Sequence, residues 1–209
     1  MALTLYDFPT SGNARKVRLL LAELGLDFEH VPVPRARPRP SWYLELNPFG
    51  GVPAIRDGEL VFAESQAILR YLATRERRDD LYPTDPLERA HVDWALDAWT
   101  TTVFPRIFPL YRALVGETRD DTGKPHPDRA DPDKVDQELP NARQGFDLFE
   151  RFVAADGTVT GSGFTIADCA CGPILLTVAG WPLDLETDYP KIALIRSAIA
   201  ARPSAAALP

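Results

Sequence analysis

Residues Asn47 to Leu72 read NPFGGVPAIRDGELVFAESQAILRYL, and the order of local signals in them is strand, turn, strand, turn, helix. Val52, Ala54 and Ile55 make a short apolar run. Asp57-Gly58 is a two-residue hairpin signal, and Leu60 to Ala63 is the returning strand. Ser65 is placed to cap the following helix, whose inner face carries Ala67, Ile68, Tyr71 and Leu72. Pro53 is the unusual residue. Proline has no donor for a sheet ladder, so it belongs at a sheet edge or a strand start. A proline there leaves the main chain of Val52 available to an extended peptide. Further on, Glu64-Ser65 brings a carboxylate, a hydroxyl and fresh helix N–H groups to one turn. Together these features suit the grip of a short charged peptide.

Upstream, Leu3 to Phe8 alternates as a strand, with Leu3 and Leu5 on one face and Thr4 and Tyr6 on the other. Residues 9–13, PTSGN, are rich in side chains that bond their own backbone and read as a turn. Ala14 to Leu24 follows as a helix with Val17, Leu20, Leu21 and Leu24 on its apolar face and Gly25 as its stop. Asp27 to Val33 alternates as a second strand. The whole order, βαβ then ββα, resembles the thioredoxin-like fold. Residues 34–40, PRARPRP, form a basic extended connector, and Trp42 and Tyr43 lie in a short helix after it.

The chain has 209 residues, 45% of them apolar, which is enough for one large domain or two small ones with a substantial core. Its net charge of −7 argues against nucleic acid and anionic membranes as main partners. No apolar run approaches the roughly 20 residues that span a bilayer. The N-terminal MALTLYDFP lacks the pattern of a signal peptide, so a cytoplasmic location is expected. Cys169 and Cys171 are the only cysteines; they sit in an apolar helical run at a spacing unlike CxxC and read as buried thiols. His30, His91 and His126 share no spacing, so no metal site is expected. Arginine far outnumbers lysine, a bias of GC-rich bacterial coding.

After Tyr71 a charged run ending in prolines reads as a linker. It divides the chain into an N-terminal domain, 1–77, and an all-helical domain, 84–209. Residues 87–114 read as one or two long helices bent by Pro105 and Pro109. Glu117 to Pro132 reads as a polar, partly disordered loop, and Asp133 to Ala154 as helix that Pro140 either interrupts or marks as starting late. Thr165 is placed as an N-cap, with Asp168 reaching back to it as a capping box and Phe164 packing across on Cys169. That helix runs through Leu176, and a last one spans Lys191 to Ala201.

NPFGGVPAI followed by ESQAILRYL closely resembles the glutathione-binding half of cytosolic glutathione transferases, and the helical second half with its capping box agrees. The resemblance implies a cis Val52-Pro53 bond, pairing of the Val52 backbone with the cysteinyl part of glutathione, and capture of the γ-glutamyl end by Glu64 and Ser65. Gly51 departs from the family, which often carries a long polar side chain there. Arg35, Arg37, Arg39, Trp42 and Tyr43 are the candidates for the glycine carboxylate, with Arg39 carried forward as the binding residue.

Alignment on Arg15, Lys16 and Val17 matches Ser11 to the catalytic serine of the theta-like and phi-like classes. Asn13 is then a second polar contact; Thr10, Asn13 and Tyr6 are the alternatives for the catalytic role. Trp94, Trp99, Phe104, Phe108 and Tyr111 are candidates to line the pocket for an electrophile, with helical core or a dimer interface as the competing use of each. Thr165 and Asp168 carry over as structural. The implied function is activation of glutathione as a thiolate for attack on apolar electrophiles in detoxification, by a homodimer, with glutathione as co-substrate and no metal. A glutathione-dependent disulfide reductase or peroxidase, and a non-catalytic binding protein, are the alternatives.

Overall fold

The computed structural model describes residues 3–8, 10–115, 131–177 and 181–208. Strand β1 (Leu3–Asp7), helix α1 (Gly12–Leu24), strand β2 (Phe28–Pro32), helix α2 (Ser41–Leu46), strands β3 (Ala54–Asp57) and β4 (Leu60–Ala63) and helix α3 (Ser65–Arg75) form a thioredoxin-like unit. Its sheet has the order β2-β1-β3-β4, with β2 parallel to β1 and the other pairings antiparallel. Alternation along β1 sends Leu3 and Leu5 into a core with Val17 and Leu20 of α1 and Ile68 and Leu72 of α3. Tyr6 points to the opposite face, into a small cluster with Val33, Tyr43 and Ala54. Asp7 ends β1 fully buried; both carboxylate oxygens accept from Arg18 at 2.8 Å, and His30 Nε2 lies 2.7 Å from Oδ1.

Three local expectations shift. The hairpin loop is Gly58-Glu59 rather than Asp57-Gly58: Asp57 pairs with Leu60, and Gly58 supplies the positive φ of +60° at the first loop position. The N-cap of α3 is Glu64, with Ser65 as the first helical residue. The inner face of α3 is therefore Ser65, Ile68, Leu69, Leu72 and Ala73, and Ala67 faces outward. Helix α1 starts two residues earlier than expected, at Gly12, and its buried face includes Lys16 and Leu19.

The second unit is helical: α4 (Pro86–Ala98), a π-helical turn (Trp99–Val103), α5 (Phe104–Val115), α6 (Pro132–Phe152), α7 (Ile166–Leu175), the short α8 (Leu185–Asp188), α9 (Pro190–Ala200) and a 3₁₀ turn (Pro203–Ala207). The bend expected from Pro105 and Pro109 takes the form of the π turn, in which Phe104 N–H donates to the Trp99 carbonyl just before the first proline. Pro140 neither interrupts α6 nor marks its start. It lies on the exposed face, where the carbonyl it leaves unbonded meets water. The loop expected over Glu117 to Pro132 lies outside the described residues except for its last two, Asp131, which caps α6, and Pro132, its first residue. His126 also lies outside them.

Helix α7 is buried at every position and packs against α1, α4 and α9. Thr165 Oγ1 accepts from Ala167 N–H at 3.2 Å. The Asp168 carboxylate accepts from Thr165 N–H at 2.8 Å, from Thr165 Oγ1 at 3.1 Å and from Val159 N–H at 2.9 Å. Glycine at 172 lets α9 approach, since a Cβ there would meet Ile199 at 3.1 Å. Among the described residues no helix is long and apolar enough to cross a membrane.

Candidate functional site

Two turns of the first unit lie at the same end of the sheet's central strands, because β1 and β3 are antiparallel neighbours: β1 ends where β3 begins, with Tyr6 opposite Ala54. The turn after β1 therefore faces the segment 50–53 that leads into β3.

Ser11 stands at the first of these turns as the N-cap of α1, half-buried, with φ −68° and ψ 124°. Its hydroxyl oxygen accepts a long bond of 3.4 Å from Ala14 N–H. An accepting hydroxyl keeps its own proton to donate, so Ser11 can offer O–H to an anion at the positive end of a 13-residue helix. Thr10 and Asn13 flank it, both partly buried. Tyr6 does not join this group. Its ring lies with Tyr43 and Ala54 on the α2 side of the sheet, near Trp42, and its hydroxyl accepts from Arg56 Nε at 3.2 Å.

The second turn is held open by its own polar groups. Asn47, almost fully buried, accepts Phe49 N–H on its side-chain oxygen at 3.2 Å and donates to the Gly51 carbonyl at 2.8 Å. Tyr43, also buried, donates its hydroxyl to the same carbonyl. Neither role was evident from the chain alone, although NPFGG is the composition of a turn that bonds its own backbone. Gly50 has φ +63°, and a Cβ on it would press on Arg39 and Leu44 at 3.3 Å, so only glycine fits. The Val52-Pro53 bond is cis, and Pro53 directly precedes β3. Val52 N–H and C=O have no hydrogen-bond partner among the described residues. Gly51 has no positive φ, and nothing lies within 4 Å of a Cβ built there.

Glu64 has φ 71° and ψ 109°, a strained backbone for a residue with a side chain, costing about 1–3 kcal/mol. Such strain is concentrated at ligand clamps. It delivers Ser65 to the first position of α3, 8% exposed and with no hydrogen-bond partner for its hydroxyl among the described residues. Gln66, next along, donates to Thr100 Oγ1 at 2.5 Å and ties α3 to the π turn.

The basic connector packs near Phe8, whose ring has the guanidinium groups of Arg35 and Arg39 each 5.4 Å from its centre. Arg39 is 7% exposed. It donates to the carbonyls of Gly50 at 3.0 Å, Ala36 at 3.5 Å and Pro34. Its guanidinium thus pins the connector to the loop before Val52. Tyr43 spends its hydroxyl on Gly51, which leaves Trp42, 41% exposed, as the more accessible donor of α2.

The aromatic candidates separate. Trp99, Phe104, Phe108 and Tyr111 form a continuous row, with ring centres 6.3, 4.9 and 6.0 Å apart, that ends on Trp181. Trp99 and Tyr111 are buried, whereas Phe104 and Phe108 are only partly covered. Trp94 is not in the row: it packs edge-on against Phe152 and is 62% exposed. Burial pushes the thiols of Cys169 and Cys171 well above their ordinary value, so neither offers a thiolate. Among the described residues no cluster of three or more His, Cys, Asp or Glu side chains is arranged to hold a metal.

Residues 5–79 match the family model described as glutathione S-transferase, N-terminal domain. Glutathione S-transferase 3 of Zea mays is 34% identical over 97% of this chain and 90% of its own length. The structure of a glutathione S-transferase III in its apo form superposes with a TM-score of 0.80 at 33% identity, covering all of this chain and 98% of that one. A glutathione S-transferase-I bound with lactoylglutathione superposes at 0.79 with 25% identity, over 99% of this chain and all of that one. With that degree of identity along nearly its whole length, the chain belongs to the glutathione S-transferase family.

Proposed function

We propose that this chain is a glutathione transferase of the serine type, which binds glutathione on the N-terminal domain, 1–77, and takes an electrophile between it and the helical domain, 84–209. The family relationship and the relatives' activity support the reaction class. The observation that carries the site is the meeting of unspent groups at one end of the sheet. Among the described residues, Val52 offers an N–H and a C=O without partners, and Ser65 a covered hydroxyl without one. Val52 pairs with the cysteinyl backbone, and Pro53 fixes the direction of that pairing. Glu64 and Ser65 take the γ-glutamyl ammonium and carboxylate, using the N–H groups that open α3. The connector 34–40 meets the glycine carboxylate, with Arg39 holding Gly50 in place and Trp42 beside it.

Ser11 then donates a hydrogen bond to the glutathione thiolate, with Asn13 as a second polar contact and Thr10 as the alternative donor. A thiol near 8.5 brought to about 6.5 needs about 2.7 kcal/mol of preference for the thiolate. One charge-assisted hydrogen bond, at about 1.5–3 kcal/mol, and the end of α1 together supply that. The thiol proton leaves to solvent. The sulfur forms a bond to the electrophilic carbon, and the leaving group departs with its electron pair. Phe104 and Phe108, with Trp99 and Tyr111 behind them, supply the apolar wall.

A homodimer in a bacterial cytoplasm, serving detoxification, completes the proposal. The exposed Phe49 and Leu87 support association, and the two unpaired, buried cysteines accord with a reducing compartment. Isothermal calorimetry with glutathione tests the binding step: micromolar to millimolar saturable binding is expected, and no binding refutes the proposal.

A further inference from the structure

Lys16 has no role in the reaction as derived so far, yet it is among the largest fully buried side chains of the protein, 2% exposed. It lies on the face of α1 that packs against α7, and its ammonium stands 5.2 Å from the centre of the Phe104 ring at the start of α5. Apart from that ring it has no hydrogen-bond acceptor and no carboxylate partner among the described residues. A buried ammonium with three unspent donors is costly, and burial pushes its pKa down to about 8, which still leaves it mostly charged at neutral pH. Around it, Arg15 Nε and Trp99 Nε1 are buried donors that likewise find no acceptor among the described residues. Cys171 faces it from α7 with its thiol directed to the Asp168 carbonyl, and Arg15 beside it donates to the Pro173 carbonyl at 3.3 Å.

Direction matters as much as burial. Side chains on a helix lean toward its N-terminus, so Lys16 leans in the direction of the first turn of α1. Gly12, four residues earlier on the same face, adjoins Ser11, and a Cβ there would meet only Ile174, at 3.5 Å. The stem therefore aims the ammonium toward the turn where the glutathione sulfur is proposed to sit, alongside the partly covered Phe104.

Resting on the glutathione reading, we infer that Lys16 is a specificity-determining residue: it receives a carboxylate or other anionic oxygen group of the electrophile whose apolar body lies against Phe104 and Phe108. The preferred substrates are then apolar or aromatic electrophiles that carry an acidic group, and neutral ones lose the contact.

The test uses two product-like conjugates, S-benzylglutathione and its para-carboxylated counterpart, titrated by calorimetry into the intact wild type, Lys16→Met and Lys16→Gln. The wild type is expected to bind the carboxylated conjugate about tenfold more tightly, the gain of one charge-assisted contact, and both variants to lose that preference. Turnover of chlorodinitrobenzene and of the corresponding chlorodinitrobenzoate gives a second readout, the ratio of their kcat/KM values, expected to fall about tenfold in the variants. Wild type that binds both conjugates equally, or variants that keep its preference, overturn the role of Lys16 while leaving the glutathione reading in place. Wild type that binds neither conjugate overturns both.

Discussion

Replacing Asp168 with asparagine tests whether the acidic residue that opens α7 is structural. The Asp168 carboxylate accepts three hydrogen bonds in a fully buried site: from Thr165 N–H, from Thr165 Oγ1 and from Val159 N–H. An amide of the same shape has one accepting oxygen, so one of the two backbone N–H groups must face an NH₂. An unsatisfied buried donor costs about 1–3 kcal/mol, and the clash of donor against donor sits at the upper end. One term opposes this loss: burial pushes the aspartic acid up to about 6, so the neutral amide avoids some cost of a buried charge. A net loss of about 2 kcal/mol remains, or roughly 4–8 °C in Tm for a chain of this length. Thr165→Ala removes the hydroxyl that caps Ala167 and should cost about 1 kcal/mol, and the double variant should lose less than the sum because the two residues share a bond. Calorimetric melting measures each loss, and turnover per folded molecule should stay near wild type. Unchanged melting with lost turnover would refute the structural assignment and give Asp168 a chemical role.

Further expectations concern the ligand groove and the buried lysine. Ser65→Ala should weaken glutathione about tenfold by calorimetry, the worth of one hydrogen bond to a carboxylate, while leaving the thiol pKa of the saturated complex in place; unchanged affinity would remove Ser65 from the site. Gly51→Gln places a polar side chain where nothing lies within 4 Å, and should tighten glutathione several-fold; weaker binding would mean that the ligand does not pass that position. Lys16 titrates near 8 when folded and at 10.5 when unfolded, so between those values the unfolded chain binds the extra proton and stability rises with pH. The full gain is about 3 kcal/mol. Denaturation of wild type and Lys16→Met across that window should show the rise in the former only, and parallel curves would contradict the burial.

Much of this was readable from the chain because local signals and global topology agree. The alternation of Leu3, Leu5 and Tyr6, the stop at Gly25 and the Thr165–Asp168 spacing each depend on a few neighbouring residues, and each appears in the structure where the pattern puts it. The errors share a cause. Ser65 reads as a cap by residue type, but the strained backbone of Glu64 moves the cap back one residue, and strain leaves no mark in composition. Gly58 leads its hairpin instead of closing it, a choice set by the pairing of Asp57 with Leu60 across the sheet. The apolar face read from Val17, Leu20, Leu21 and Leu24 does not include Lys16; the packing of α7 and Phe104 against α1 buries it. The same limit applies to the aromatic candidates, since Trp94 and Trp99 look equivalent in sequence but face opposite fates on α4 and the π turn.

The proposed mechanism turns on Ser11, whose hydroxyl accepts from Ala14 N–H and so keeps a proton for the sulfur. The most direct measurement is the ultraviolet absorbance of the thiolate of bound glutathione, titrated against pH in wild type and Ser11→Ala at saturating ligand. The account predicts a wild-type thiol well below 8.5, and a rise of one to two pH units in the variant, about 1.4–2.7 kcal/mol of lost preference. The same thiol pKa in both proteins would contradict it.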